Sequence, residues 1–249
     1  MKLKEFISDL VFYISVPKCA SCNERLLRTE RALCAKCLDA YNDNLLFNCS
    51  LCARFMFQCD CSTPFLKKHY MHKLIKVFRY VPEESNPANM LIYKLKRQNR
   101  SDVSDFLSEQ LLRSIKLSIK SFDGIIITNV PRRRSSIKKY GMDHSAILAK
   151  KLAKALGCEY RAILYSKAKK AQKKNRSREE RLKNAQFDYL KSAKRLDGAR
   201  VLLVDDIVTT GASIGSASDM LHKLGAKEII GATLSVAYKD PYIPFERTK

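Results

Sequence analysis

A chain of 249 residues, 46% of them hydrophobic, is long enough to bury a core and permits one or two domains, with two unequal domains as the expectation. Forty-seven Lys and Arg against 25 Asp and Glu leave a formal charge of +22, which suits a polyanionic partner, although a basic proteome produces the same balance. No run of about 18 apolar residues occurs, which argues against a transmembrane helix.

Residues 2–16 are basic and then apolar. Glu5 and Asp9 interrupt the run and no small-residue cleavage site follows, so a short amphipathic helix is predicted. It is expected to pack on the protein, with a weak peripheral membrane contact as the alternative. From Pro17 to about Pro64 the chain has little periodicity and cannot build much of an apolar core of its own. Eight of the nine cysteines fall here, and Cys158 stands apart. Cys19 and Cys22, then Cys34 and Cys37, form two pairs with two residues between partners, a spacing that lets both thiolates reach one ion at a Zn–S distance of roughly 2.3 Å. Cys49 and Cys52 with Cys59 and Cys61 form a second set, whose last pair is one residue short of the usual spacing. Disulfides are the alternative, but without an export signal four close pairs favour metal. All-thiolate ligation leaves no open coordination position, so a structural zinc is expected, with one or two ions per chain. His69 and His72 could supply a substitute ligand, although exposed surface histidines are the commoner case.

Leu74 to Val81 is predicted as a strand, ended by the turn residues between Val81 and Pro87. Asn89 to Lys96 and Ser101 to Ile119 carry apolar residues at helical spacing, with Ser101 as an N-cap. Beyond Asp123 the predicted elements alternate: strand 124–131, helix 143–156, strand 159–165, strand 201–204, helix 213–224 and strand 228–236. Such alternation implies an α/β fold, a mostly parallel sheet with helices on both faces. Residues 1–64 are expected to form the small cysteine-rich domain and residues 65–249 the α/β domain. Residues 166–183 hold nine Lys or Arg, two Glu, and neither Gly nor Pro, and read as a long mobile loop or a frayed basic helix.

Residues 201–213 carry the most chemistry. Val201 to Val204 form a buried strand that delivers Asp205 and Asp206 to the carboxyl edge of the sheet, where open α/β sheets bind ligands. Thr209, Thr210, Gly211, Ala212 and Ser213 then lead into a helix, so hydroxyls, free backbone N–H groups and a positive helix end converge in a way that suits a phosphate monoester. Gly211 permits a close backbone approach. Adjacent carboxylates need cationic or polar partners, which ribose hydroxyls with Mg²⁺ nearby would supply. The plainer reading is an incidental strand–turn–helix with solvated acids.

This segment resembles the motif of type I phosphoribosyltransferases that binds phosphoribosyl pyrophosphate (PRPP). In that motif the acid pair holds the ribose hydroxyls and the loop holds the 5-phosphate. With the cysteine pairs in front, the chain is similar along almost its full length to the ComF (ComFC) competence family, related to GntX-type proteins. Asn129 to Arg134 resembles the family's Val-Pro segment at the pyrophosphate loop, and Met90 to Lys96 its Leu-Ile-x-x-Leu-Lys helix. Gln172, Arg181, Asn184 and Phe187 resemble its flexible-loop pattern. The family's Arg-Gly-Phe-Asn-Gln stretch reads Tyr140, Gly141, Met142, Asp143 and His144 here, a departure that leaves this segment without an assigned substrate role.

The resemblance implies a PRPP ligand and a part in natural transformation, handling DNA on the cytosolic side of the inner membrane, in company with other components of the uptake machinery. Transfer from PRPP passes through an oxocarbenium-like transition state, so cations must stabilise the departing diphosphate and water must be excluded. Arg132, Arg133 and Arg134, with Mg²⁺, are expected to do the first; closure of the 166–183 loop, the second. A solvated basic turn is the alternative, most of all for Arg134. The general base is not legible, nor is the acceptor, which in this fold is chosen by a variable hood. Two readings follow: a Mg²⁺-dependent pentosyltransferase of unknown acceptor, or a protein that binds PRPP without consuming it and holds single-stranded DNA on basic loops. Aromatic residues are sparse within those loops, so phosphate-tracking electrostatics rather than base stacking is expected.

Overall fold

A computed structural model describes residues 17–80, 86–167 and 186–237. The helix expected over residues 2–16 lies outside them, as does nearly all of the basic stretch, including Gln172, Arg181 and Asn184. Five parallel strands form the sheet, in the order β1 (Met71–Arg79), β7 (Glu228–Val236), β6 (Arg200–Val208), β2 (Ile125–Asn129), β3 (Glu159–Tyr160). A small antiparallel pair, β4 (Leu164–Ser166) and β5 (Phe187–Tyr189), stands beside it. The helices are α1 (Ala35–Leu45), α2 (Pro64–Lys68), α3 (Pro87–Gln98), α4 (Ser101–Ser118), α5 (Arg134–Tyr140), α6 (His144–Leu156) and α7 (Ala212–Lys223).

Central strands of a parallel sheet are covered on both faces, and β2, β6 and β7 are accordingly buried almost throughout. Alternation along β6 divides the core. Leu202 and Val204 join the side packed with α3, α4 and α6, whereas Val201 and Leu203 join the side packed with α7. The cysteine-rich segment borrows both halves. Cys19, Leu33 and Tyr41 enter the first, where the Tyr41 ring meets Phe78 and Phe106 edge-on at 5.9 and 5.3 Å, and Cys49, Met56 and Cys59 enter the second.

Three expectations shift. The strand predicted over 159–165 breaks at Arg161: Glu159 and Tyr160 pair with β2, and the chain then turns to give Leu164–Ser166 to β5. The strand predicted to end at Val204 runs on to Val208 because β7 pairs along its whole length. Asp205 and Asp206 are therefore strand residues, standing beyond the end of β2, whose last partner is Val204. Ser101 is the first residue of α4 rather than its cap; Arg100 precedes it, its guanidinium bound to the Asp102 carboxylate at 3.1 and 2.6 Å.

Candidate functional site

Because successive strand residues face opposite ways, Asp205 and Asp206 lie on different sides of the sheet. Asp206, 7% exposed, accepts from two cations at the same oxygen: its Oδ2 lies 3.1 Å from Lys96 Nζ, in the last turn of α3, and 3.0 Å from an Arg132 guanidinium nitrogen, just past β2. Its Oδ1 accepts from the backbone N–H of Ile207 at 2.7 Å. Burial alone would raise its pKa, but Lys96 and then Arg132 outweigh it and hold Asp206 below the usual carboxylate range. Asp205 goes the other way: burial, reinforced by the negative Asp206, pushes it well above that range. The two neighbouring carboxyls are thus pushed in opposite directions.

Past Val208, residues Thr209 to Ser213 wrap a concavity that also takes in Asp205 and Ile214. Gly211 caps α7 at φ +79°, a left-handed conformation that other residues adopt at a cost. A Cβ there would also stand 3.1 Å from Leu66 Cδ2 and 3.2 Å from the Phe65 ring, both on α2. The short helix α2, which follows the cysteine-rich region, therefore buttresses the loop. His69 Nδ1 lies 2.7 Å from Asp219 Oδ2 on α7, and the Tyr70 ring stacks on His222 at 3.6 Å. His69 is engaged there rather than with the cysteines.

Arg132 is brought to the acid pair, whereas Arg133 caps α5 and Arg134 lies over the Tyr165 ring, 5.9 Å from its centre. The Tyr140–His144 segment turns out to order this corner. The Asp143 carboxylate accepts the Arg132 backbone N–H at 2.9 Å and caps α6 through the Ala146 N–H at 3.3 Å. His144 is fully buried beside Asn99 Oδ1, 3.2 Å from its Nε2. Since the Asn99 amide nitrogen donates to Tyr140 O at 3.1 Å, His144 Nε2 carries the proton. Burial first, then Arg132, lower the His144 pKa to about 4. An Asp ahead of a helical run was the signal for the cap; nothing in the sequence announced Lys96 as a partner of Asp206.

The cysteines form the two sets predicted, Cys19, Cys22, Cys34 and Cys37, and Cys49, Cys52, Cys59 and Cys61, with each set's sulfurs within 4.8 Å of one another and every cysteine free. A tetrahedron of Zn–S bonds places sulfurs about 3.8 Å apart. The Cys22–Cys34 separation is 3.7 Å; in the second set Cys52–Cys61 is 3.8 Å and Cys49–Cys61 3.3 Å. Both sets could hold a metal such as zinc. The short Cys59-x-Cys61 pair closes the second set without a histidine. Beside it the Lys76 ammonium, on a strand residue 1% exposed, donates to Cys61 O at 2.6 Å and to Leu74 O at 3.2 Å, and lies 3.9 Å from Cys61 Sγ. Hydrogen bonding from Cys59 lowers the Cys49 pKa to about 4 against the effect of burial, and Lys76 assists.

Residues 142–241 match the family of phosphoribosyl transferase domains. The DNA utilization protein YhgH of Escherichia coli O157:H7 is 28% identical over 220 residues, covering 85% of this chain and 86% of its own. Competence protein F of Haemophilus influenzae is 23% identical over 221 residues, covering 85% of this chain and 93% of its own. Among solved structures, a purine phosphoribosyltransferase from Pyrococcus horikoshii aligns over 58% of this chain and 92% of its own at 19% identity, with a TM-score of 0.33.

Proposed function

We propose that this chain, a relative of the DNA utilization and competence F proteins built around a phosphoribosyl transferase domain, binds PRPP at the carboxyl edge of its sheet and transfers the pentosyl group to an acceptor. One observation carries the reading: an acid pair near the end of β6 stands two residues ahead of a glycine-capped loop, with two cations meeting at Asp206. Thr209, Thr210, Gly211, Ala212 and Ser213 hold the 5-phosphate through hydroxyls and backbone N–H groups. Asp205 and Asp206 face the ribose 2- and 3-hydroxyls. Arg132, with Arg133 behind it, takes the diphosphate and stabilises the charge that gathers there as the C1–O bond breaks.

The donor set fits Mg²⁺ only as a passenger of the ligand. Asp205 is pushed well above the usual carboxylate range by burial and by Asp206, and Asp206 is already paired with two cations, so these residues do not make a two-carboxylate metal site by themselves. Bound with PRPP, Mg²⁺ would supply further charge stabilisation to the diphosphate. Zinc in the two cysteine sets is structural, and a cysteine-rich unit of residues 1–64 supports a phosphoribosyltransferase-like unit of residues 65–249.

A second reading, single-stranded DNA held by a protein that does not consume PRPP, has its own observation. Tyr93 and Tyr140 flank Arg97, whose guanidinium lies 5.7 and 5.5 Å from their ring centres, and Lys139 stands 5.4 Å from the Tyr140 ring. Tertiary packing thus interleaves aromatic and basic groups that are separated in sequence, which suits base stacking beside phosphate contacts. No described helix is long and apolar enough to cross a membrane, and a cytoplasmic site of action with peripheral contact at the inner membrane fits this role. The test is titration with Mg²⁺ and PRPP, followed by an assay for pyrophosphate release across a panel of acceptors. Saturable binding abolished by Asp205→Ala or Thr210→Val, with metal content unchanged, supports the site. Retained affinity moves the ligand elsewhere, and binding without pyrophosphate release favours the second reading.

A further inference from the structure

Lys96 and Arg132 come from separate elements yet share one oxygen of a single buried carboxylate. Both cations therefore share the same anion at the entrance to the acid pair. Lys96 is not a wandering surface lysine. The last turn of α3 is pinned by its left-handed C-cap Asn99, which bonds both His144 and Tyr140, and the Lys96 side chain is only 30% exposed. It also lies far upstream of the matched domain, which begins at residue 142.

We infer that Lys96 is a specificity-determining residue, selecting a ribose 5-phosphate that carries a 1-diphosphate over one with a free anomeric hydroxyl, by an exchange of partners at Asp206. The inference rests on the PRPP reading above. A sugar whose hydroxyls take the Asp206 carboxylate must displace both cations from it. A diphosphate on C1 offers them a new anion of higher charge, so every charged group stays paired. Ribose 5-phosphate brings the same hydroxyls without that anion. Either the cations remain on Asp206 and exclude the hydroxyls, or they are left unpaired in a half-buried site, which is costly. Inorganic pyrophosphate, conversely, can take the cations without the sugar.

The experiment measures the affinities of the full-length, metal-loaded protein for PRPP, pyrophosphate and ribose 5-phosphate in Mg²⁺, for the wild type, Lys96→Ala, Lys96→Met and Lys96→Arg. Charge-assisted contacts of this kind imply that Lys96→Ala and Lys96→Met weaken PRPP and pyrophosphate by about 10- to 100-fold. Ribose 5-phosphate should hold its affinity or gain, and Lys96→Arg should restore most of the preference. Unchanged metal content and melting temperature establish that the variants fold, and Lys96→Met keeps the aliphatic stem in place. An unchanged ratio of PRPP to ribose 5-phosphate affinity in folded Lys96→Ala, while the wild type binds PRPP, overturns this inference alone. A wild type that binds no PRPP overturns the underlying reading, and this inference with it.

Discussion

Lys76→Met tests whether the α/β core contributes to the second cysteine set. The Lys76 ammonium is buried, bonded to two carbonyls and 3.9 Å from Cys61 Sγ. Four thiolates around a divalent metal carry two net negative charges, and a single buried cation halves that excess. At an effective dielectric near 20, a unit charge pair at this separation is worth about 4 kcal/mol, part of which desolvation of the ammonium offsets. A loss of about 2–4 kcal/mol in metal affinity, or about 30- to 1,000-fold, is expected for the second set. The first set, with Cys19, Cys22, Cys34 and Cys37, serves as an internal reference. Chelator competition followed by two-phase zinc release reads both. With metal stripped, the same variant should be as stable as the wild type or more so, because methionine replaces a buried cation that has lost its anionic partner. Equal release from both sets, or a metal-free protein markedly weakened by the substitution, would refute the charge argument and leave Lys76 as a mere packing residue.

The acid pair should respond unequally. Asp206→Asn strands Lys96 and Arg132 and should cost about 2–4 kcal/mol in denaturant unfolding, whereas Asp205→Asn, which relieves a carboxyl that burial and Asp206 disfavour in its charged form, should cost under about 1 kcal/mol. His144, with its pKa lowered to about 4, takes up a proton on unfolding whenever the pH lies between that value and an unfolded value near 6.5. Its contribution is complete above about pH 6.5 and declines by up to about 3 kcal/mol as pH falls to 4; His144→Gln should flatten that part of a melting-temperature profile, and an unchanged slope would assign it to other groups. Gly211→Ala forces a side chain onto φ +79° and against Leu66 and Phe65, so a loss of about 1–3 kcal/mol and weaker phosphate binding are expected by thermal melting and by phosphate titration.

Much of this protein was legible in its sequence because the signals are local. Paired cysteines at close spacing, four branched aliphatic residues before two acids, and a glycine between threonines and a helix each express a constraint satisfied within a few residues. Hence the two cysteine sets, the parallel sheet and the strand Glu228–Val236 appear as read. Strand pairing is not local. β6 extends through Asp205 and Asp206 because β7 lies alongside, and the predicted strand at 159–165 divides because its two ends find different neighbours. Nor are charge partners local. Asp206 gathers Lys96 and Arg132, 110 and 74 positions away in the chain, and the Lys76 ammonium reaches cysteine backbone from the middle of a strand. Sequence by itself therefore determined which chemical groups are present and in what local order, since covalent spacing dictates that. Which carboxylate is favoured in its charged form, which cations hold it, and where α2 presses on the Thr209–Ser213 loop were decided by tertiary structure, since burial and Coulomb energy depend on distances through space rather than along the chain.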